Sequence, residues 1–350
     1  MRATIKDVAK ACGISITTVS LVLNQRECRV SEPTRKRIFD VAKKLDYRPN
    51  KLAVGLVTRR TRTIGLIVPD ISNFHFAELC KVIERECQAK GYIVLLGGYG
   101  DSDDQAFEYF NAFIDKGIEG LVFAKPFGLK LSEVDRRCFE LAASAGLPLV
   151  TFDKGPAGPT RRTVEFDFAR GGYLATKHLV ELGHRKIGCI TGPSGLRSAI
   201  DRLKGYEKAL REASLPYDDG LVHEGGFDYE SGLEALPCLL GAGATAVFAS
   251  NDMMALGVYK AAREYGLSIP RDISLVGFDD LFIDELLEVP LTSVVHPSSE
   301  LGLEGTRRLF AMIEGSSDTS SAPKLQPVLK VRASTARFDP GVAPSARRRR

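Results

Sequence analysis

Thr4–Asn24 reads TIKDVAKACGISITTVSLVLN, and the fold of the N-terminal part turns on where its apolar residues fall. Thr4 can cap a helix, with Asp7 three residues on as the acid that reaches back. Ile5, Val8 and Ala9 then share one face. Gly13, in Cys12-Gly13-Ile14, supplies a sharp turn, and Ser15 caps a second helix. At ~100° per residue, Val19, Val22 and Leu23 cluster on one side as a core face. Thr17 and Leu21 lie opposite, flanked by Ser20 and Asn24, and Ile16 sits near the edge in the first turn. A helix that only packs on a core keeps its far side polar, so Leu21 asks for a contact outside the head.

Two short helices joined by a Gly-containing turn make a helix-turn-helix, whose second helix enters the DNA major groove by its N-terminal residues. Ser31 caps a third helix that tolerates Pro33 in its first turn. Ile38, Val41, Ala42 and Leu45 are spaced to close a three-helix core. A generic helical bundle is the alternative, and charge argues against it. Residues 1–60 hold 14 Lys/Arg against 5 acids, a net +9; the whole chain carries +4, so residues 61–350 carry −5. A basic head on an acidic body fits a polyanion bound by the head alone.

After Tyr47-Arg48-Pro49 comes NKLAVGLVTRRTRT (50–63). Asn50 can cap a short apolar helix through about Leu56, flanked by Lys51, Arg59, Arg60 and Arg62. At about seven residues such a helix is unstable alone. The expectation is a hinge helix that forms on DNA and wedges an apolar side chain into the minor groove; an ordinary linker is the alternative.

From Thr63 short β-branched runs alternate with amphipathic stretches. Strands are predicted at 63–69, 92–98, 120–125 and 147–153, with helices near 74–90, 103–117 and 132–145. A second series has strands at 186–192, 220–226, 245–250 and 274–280, with helices near 168–182, 198–213, 228–240 and 252–265. The fold class is therefore α/β: a three-helix head and hinge joined to two lobes with parallel sheets facing a cleft. Ligands bind beyond the carboxyl ends of strands in such sheets. Asp153, Asp167, Asn251, Asp252, Asp279 and Asp280 lie at those ends, with Arg197, Ser198 and Arg202 after the strand ending at Gly192. Phe74, His75, Phe76 and Phe227 supply aromatic faces. Carboxylates, an amide and guanidiniums beside aromatic rings suit a polyhydroxylated ligand. Any one Asp could instead be a helix cap, and Asp252 reads as a cap.

At 350 residues the chain suits two or three domains, and 44% hydrophobic residues allow a large core. MRATIKDVAK has no apolar secretory region, and no run approaches the ~18 apolar residues of a membrane span, so no membrane partner and a cytoplasmic, nucleoid-associated location are expected. The seven cysteines show no C-x-x-C spacing and read as buried free thiols. The five histidines show no metal spacing. G-x-S-x-G, the Walker A pattern and G-x-G-x-x-G do not occur, so neither an enzyme nor a cofactor is expected. A transport-type sugar-binding protein would share the body but not the basic head.

The motifs TIKDVAKACGISITTVSLVLN, V-S-E-x-T-R-x-R-I and L-D-Y-R-P-N-x-x-A-x-x-L, followed by D-R-L-K-G-Y, F-A-S-N-D-M-M-A-L-G, I-P-R-D-I-S-L-V-G-F-D-D and V-R-A-S-T, resemble the lactose/galactose-repressor (LacI/GalR) family over residues 3–338. The resemblance implies a periplasmic-binding-protein-like core and a repressor controlled by a small effector, with a carbohydrate as the expected ligand. It implies a homodimer on near-palindromic double-stranded operator DNA. Base-reading positions fall on Ile16, Thr17 and Leu21, and the minor-groove leucine on Leu56. The DNA-binding set is expected to include Thr4, Ser15, Thr18, Ser20, Asn24, Arg29, Tyr47, Asn50 and Ala53 as well. Effector positions map onto His75, Phe76, Asp167, Arg197, Ser198, Arg202, Phe227, Asn251 and Asp279. The sequence departs from the common pattern in the apolar Ile16 and Leu21, in the hinge Ala53-Val54-Gly55-Leu56, in a longer QRECR turn, and in Phe168 replacing an Asn.

The expected domains are a head (1–49), a hinge (50–62), an effector-binding and dimerisation core (63–339) and a basic disordered tail (340–350). Within the core, one lobe takes about 63–165 and 296–326, and the other about 166–295 and 327–339. The tail, ending in Arg347–Arg350, could add sequence-independent DNA affinity. No leucine heptads precede it.

Overall fold

In the computed structural model the chain separates into two compact units, Met1–Arg62 and Thr63–Arg350. The structure describes residues 3–24, 27–47, 60–100, 102–152, 163–316 and 324–340. The hinge expectation for Asn50, Ala53 and Leu56, the candidate Asp153 and the basic tail lie outside the described residues.

The head is built from α1 (Ile5–Cys12), α2 (Ile16–Leu23) and α3 (Glu32–Lys44). Asp7 Oδ2 accepts from the Thr4 backbone N–H at 2.8 Å and from the Thr4 hydroxyl at 2.7 Å, closing the first turn of α1. Gly13 ends α1 at φ +66°, which costs glycine little because it has no Cβ. Ser15 and Ser31 accept from the N–H groups of Thr18 and Thr34 and cap the next two helices. Val8, Ala9, Cys12, Val19, Val22, Ile38 and Ala42 form the core, with Leu23 and Val41 against it. Leu45 does not join this core and is 37% exposed. It is the C-cap of α3, where the backbone leaves the repeat that would carry it inward. Tyr47 packs there instead, its N–H bonded to the Ala42 carbonyl at 2.9 Å.

The body holds two sheets. The first contains β1 (Thr63–Val68), β2 (Ile93–Gly98), β3 (Gly120–Phe123), β4 (Leu149–Phe152) and β5 (Thr163–Val164), all parallel in the order β2-β1-β3-β4-β5. Its crossover helices are α4 (Phe74–Ala89), α5 (Asp103–Asp115) and α6 (Glu133–Ser144). The second sheet follows α7 (Phe168–Glu181). It contains β6 (Ile187–Thr191), β7 (Val222–Glu224), β8 (Ala246–Ala249), β9 (Ser274–Asp279), β10 (Thr292–Val295) and β11 (Val328–Lys330). Their order is β11-β10-β9-β8-β6-β7, with only β11 antiparallel. Helices α8 (Arg197–Glu212), α9 (Tyr229–Gly241) and α10 (Asp252–Glu264) connect them. Fully buried runs such as TIGLIV in β1 mark strands covered on both faces.

The chain crosses between lobes after β5, after β10 and before β11. After β10 it returns to the first lobe as α11 (Ser298–Ile313), which packs on α4, β3 and β4. Two crossovers run side by side: Asp167 N–H donates to the Leu325 carbonyl at 3.0 Å, and Leu325 N–H to the Glu165 carbonyl at 2.8 Å. Helices α7 and α8 approach so closely that a Cβ on Gly172 would lie 2.1 Å from the Arg202 carbonyl. All seven cysteines are free, but only Cys12, Cys87, Cys138 and Cys189 are buried. Cys238 is exposed, and its thiol lies 3.8 Å from the Glu234 carbonyl one turn back in α9. Among the described residues no helix is long and apolar enough to cross a membrane.

Candidate functional site

The outer face of α2 presents Ile16, 45% exposed, beside the exposed Thr17. Leu21 is half-buried and stays outside the head's apolar cluster. The neighbouring polar groups are locally committed. Ser15 Oγ lies 2.8 Å from Thr18 Oγ1, and Asn24 Nδ2 donates to the Ser20 carbonyl at 2.8 Å. Thr4 and Arg29 are exposed, whereas Tyr47 packs on the head core.

A cavity of about 760 Å³ lies between the lobes at the carboxyl ends of the strands. It brings together His75, Phe76, Ser198, Arg202, Phe227, Asn251 and Asp279, and leaves Asp167 and Arg197 off its lining. Asp167 instead caps α7 and pairs with Lys324 at 2.8 Å on the crossover. Arg197 starts α8, where its N–H meets the Phe127 carbonyl of the first lobe at 3.0 Å.

Arg202 forms one wall. Its guanidinium stands 4.1 Å from the ring centre of Phe278, 4.6 Å from Phe168 and 5.3 Å from Phe227. Aromatic faces attract a desolvated cation, and Asp279 adds a carboxylate at 3.9 Å. Two residues here hold backbone conformations that L side chains rarely adopt, Phe227 at φ +67° and Asp279 at φ +118°. Phe227 is fixed from two sides. Its ring lies where a Cβ on Gly192 would be, 2.0 Å away. Its carbonyl accepts from Asn251 Nδ2 at 2.7 Å.

Asn251 is also the cap of α10, its Oδ1 accepting from Met254 N–H at 2.9 Å. The cap is therefore Asn251 and not Asp252, which is fully buried and turned towards β9 and β10. Asn251, in extended backbone at φ −152°, is the last residue before the helix, so its side chain can fold back over the first turn.

His296, which sequence reading passed over, extends the same wall through Asp279. Its ring stacks on His75 with centroids 4.2 Å apart and planes 9° from parallel. Its Nδ1 lies 3.3 Å from Asp279 Oδ1, while His75 Nδ1 meets Ser298 Oγ at 2.8 Å. Burial, with His296 and Arg202 beside it, pushes His75 down to about 3 against the pull of Asp279. Burial, then Arg202, holds His296 well below the ordinary imidazole range. Burial raises Asp279, opposed by His75 and Arg202. His75, Asp279 and His296 bring ligand-type atoms within 4.8 Å, a grouping hidden by their separation in the chain. Parallel rings keep their in-plane lone pairs side by side instead of converging on one ion, and Arg202 already faces the carboxylate. The cluster is built as a hydrogen-bonding wall.

A second group, also missed, closes the first-lobe side. Lys125 is 8% exposed and lies just past β3. Its Nζ is 2.6 Å from Asp103 and 2.5 Å from Asp135. Its place at a strand's carboxyl end was the available signal. Both described cations on the lining are thus committed to carboxylates. Donors and acceptors beside Phe76, Phe152, Phe168 and Phe227 suit a ligand with hydroxyls on an apolar frame.

Residues 4–50 match the family described as bacterial regulatory proteins, lacI family, and residues 176–335 match a periplasmic binding protein-like domain. The HTH-type transcriptional regulator DegA of Bacillus subtilis is 37% identical over 336 residues, covering 96% of this chain and 98% of DegA. The chain belongs to the LacI family of bacterial regulatory proteins. The HTH-type transcriptional repressor PurR of Photobacterium profundum is 32% identical, with 95% of this chain and 98% of PurR covered. A crystal structure of the Lac repressor dimer bound to operator and the anti-inducer ONPF superposes with a TM-score of 0.85 at 27% identity, covering 96% and 100% of the two chains. This LacI-family member is a DNA-binding transcriptional regulator with a ligand-binding core, and not an enzyme.

Proposed function

We propose that this regulator represses transcription from near-palindromic operators in the cytoplasm as a homodimer, and that a carbohydrate bound between the core lobes sets its operator affinity. The observation that carries the reading is Arg202, buried between three phenylalanine rings and Asp279 on the wall of a cavity that both lobes line. A sugar hydroxyl pair offers what such a guanidinium–carboxylate wall binds, and Phe227 offers a face for its C–H surface. Ile16, Thr17 and Leu21 read bases, with Leu21 against a thymine methyl. Leu56 serves as the minor-groove wedge. The effector acts through its unequal affinity for the two lobe arrangements.

The test is Arg202→Ala in the full chain. A thermal-shift screen against sugars first identifies a ligand that moves the wild type. In gel-shift titrations the variant should keep ligand-free operator binding and lose the ligand-dependent change. A response equal to wild type removes Arg202 from the site.

A further inference from the structure

Behind the cavity wall lies a pair of acids that do not line the cavity. Asp252 and Asp284 are both 0% exposed. Asp252 is satisfied: Oδ1 accepts from Ser293 Oγ at 2.7 Å, and Oδ2 from the Leu281 N–H at 3.1 Å. Ser293 Oγ in turn accepts from the Asp280 N–H at 3.1 Å, so Asp252 holds the whole turn that follows β9. Gly277 makes the room, since a Cβ there would lie 2.1 Å from Asp252 Oδ1.

Asp284, on the 3₁₀ turn Phe282–Glu285, has both carboxyl oxygens buried and receives no protein N–H or hydroxyl. The side chain it meets is Asp252. A carboxylate has no hydrogen to give, so two carboxyl groups can bond only if one carries a proton. Among the described residues the cations near this turn are already paired: Lys330 lies 2.6 Å from Glu285 and 3.6 Å from Asp280. Arg332 spends its guanidinium on Asp280 at 2.5 Å, Glu285 at 3.0 Å and the Leu291 carbonyl at 2.7 Å. Tyr259 of α10 donates to the Val289 carbonyl at 2.6 Å. Asp279 and Asp280 at the end of β9 add negative charge nearby. The same turn carries Phe282, whose ring meets Phe74 of the first lobe edge-on at 5.4 Å, one residue before His75.

We propose that Asp252 and Asp284 share a single proton, and that its release drives the turn Phe282–Glu285 off the end of β9 and loosens the Phe74–Phe282 contact at the cleft. The two groups titrate as a unit. Burial, ahead of Asp280 and Asp279, pushes Asp284 up to about 7, with Asp252 and Arg332 opposing. Burial, then Asp284, raises Asp252 well above the carboxylate range. A raised acid means the folded state binds the extra proton. Its contribution is full below the ordinary carboxylate range and is lost as pH rises through the raised range in which the pair gives up that proton.

The test uses the full chain and Asp284→Asn, whose amide can donate to Asp252 with no titrating proton. Amide exchange at residues 281–286, corrected for intrinsic rates, should open in the wild type by up to about tenfold per pH unit above the midpoint. In Asp284→Asn it should be flat. The wild-type melting temperature should also fall relative to the variant as pH rises from about 5 to about 8.5. The infrared C=O stretch of a protonated carboxylic acid should be present in the wild type at about pH 6 and weaken with the same midpoint. That last measurement needs no variant, and Asp252→Asn repeats the first two if Asp284→Asn does not fold. Parallel pH profiles in wild type and variant, or no acid band at about pH 6, overturn the proposal.

Discussion

Asn251 joins the helix-capping chemistry of α10 to the shape of the cleft, and its two bonds can be separated by substitution. Its Oδ1 caps the buried Met254 N–H at 2.9 Å, and its Nδ2 holds the Phe227 carbonyl at 2.7 Å. Asn251→Ser keeps an N-cap oxygen but is too short to reach Phe227. The Phe227 carbonyl is only partly buried and can recruit water, so this loss should cost ~1 kcal/mol. Asn251→Ala loses both bonds. The Met254 N–H is fully enclosed, and leaving it without an acceptor adds ~1–2 kcal/mol, in line with measured cap losses. At ~2–4 °C per kcal/mol for a large domain, melting should drop by ~2–4 °C for Ser and ~4–12 °C for Ala. Differential scanning calorimetry on the full chain reads both. Phe227 at φ +67° relies on the Asn251 bond, so both variants should weaken binding of any sugar found by thermal-shift screening while ligand-free operator binding stays intact. Equal melting losses for Ser and Ala would refute the assignment of Asn251 as the cap. Unchanged ligand binding in both would refute its hold on Phe227.

Leu21→Ala should relax base preference at one operator position without unfolding the head, because Leu21 lies outside the Val8–Ile38 cluster; selection from randomised operators reads the preference, and a lost head fold in circular dichroism contradicts it. Gly172→Ala puts a Cβ 2.1 Å from the Arg202 carbonyl, a clash with backbone that should cost ~3 kcal/mol or more in urea unfolding; a loss below ~1 kcal/mol means α7 and α8 can separate freely. His75 sits near 3, below its unfolded value of about 6.5, so the unfolded chain takes up the proton first and stability falls as pH drops through that window. His75→Phe should remove up to ~1.4 kcal/mol of that loss per pH unit, and an unaltered acid limb of the melting profile would show that His75 is protonated in the fold.

The strand–helix alternation was legible because short apolar, β-branched runs such as TIGLIV of β1 alternate with helical periods long enough to count, as in the sixteen residues of α4. The two-residue β5 and three-residue β11 are too short to carry a period, so one edge of each sheet stayed hidden. In the site, Arg202 and Asp279 were readable from the strand-end rule and the family pattern. His296 was not, because its meaning comes from stacking on His75, 221 positions earlier, which only the crossover after β10 brings about. Asn251 and Asp252 are both good cap residues, and composition cannot say which one has the extended backbone. Asp284 gave no signal at all: in sequence it is one acid of the LFIDELLE stretch, and only burial sets it against Asp252.

The end of β9 is where these separate observations meet. Asp279 faces His296 and Arg202 in the cavity, Asp280 takes the Arg332 guanidinium, and Leu281 is held by Asp252. Three consecutive residues therefore tie the ligand wall to an ion pair on the β10–β11 side and to the acid pair. Asp279 and Asp280 both have positive φ, at +118° and +57°, so the turn persists only while those ties hold it. A ligand that draws Asp279 towards the cavity pulls on the Leu281 N–H that Asp252 holds. Ligand and proton then act on one short segment, and linkage requires that if the ligand favours the held turn, the proton tightens ligand binding by the same factor that the ligand tightens proton binding.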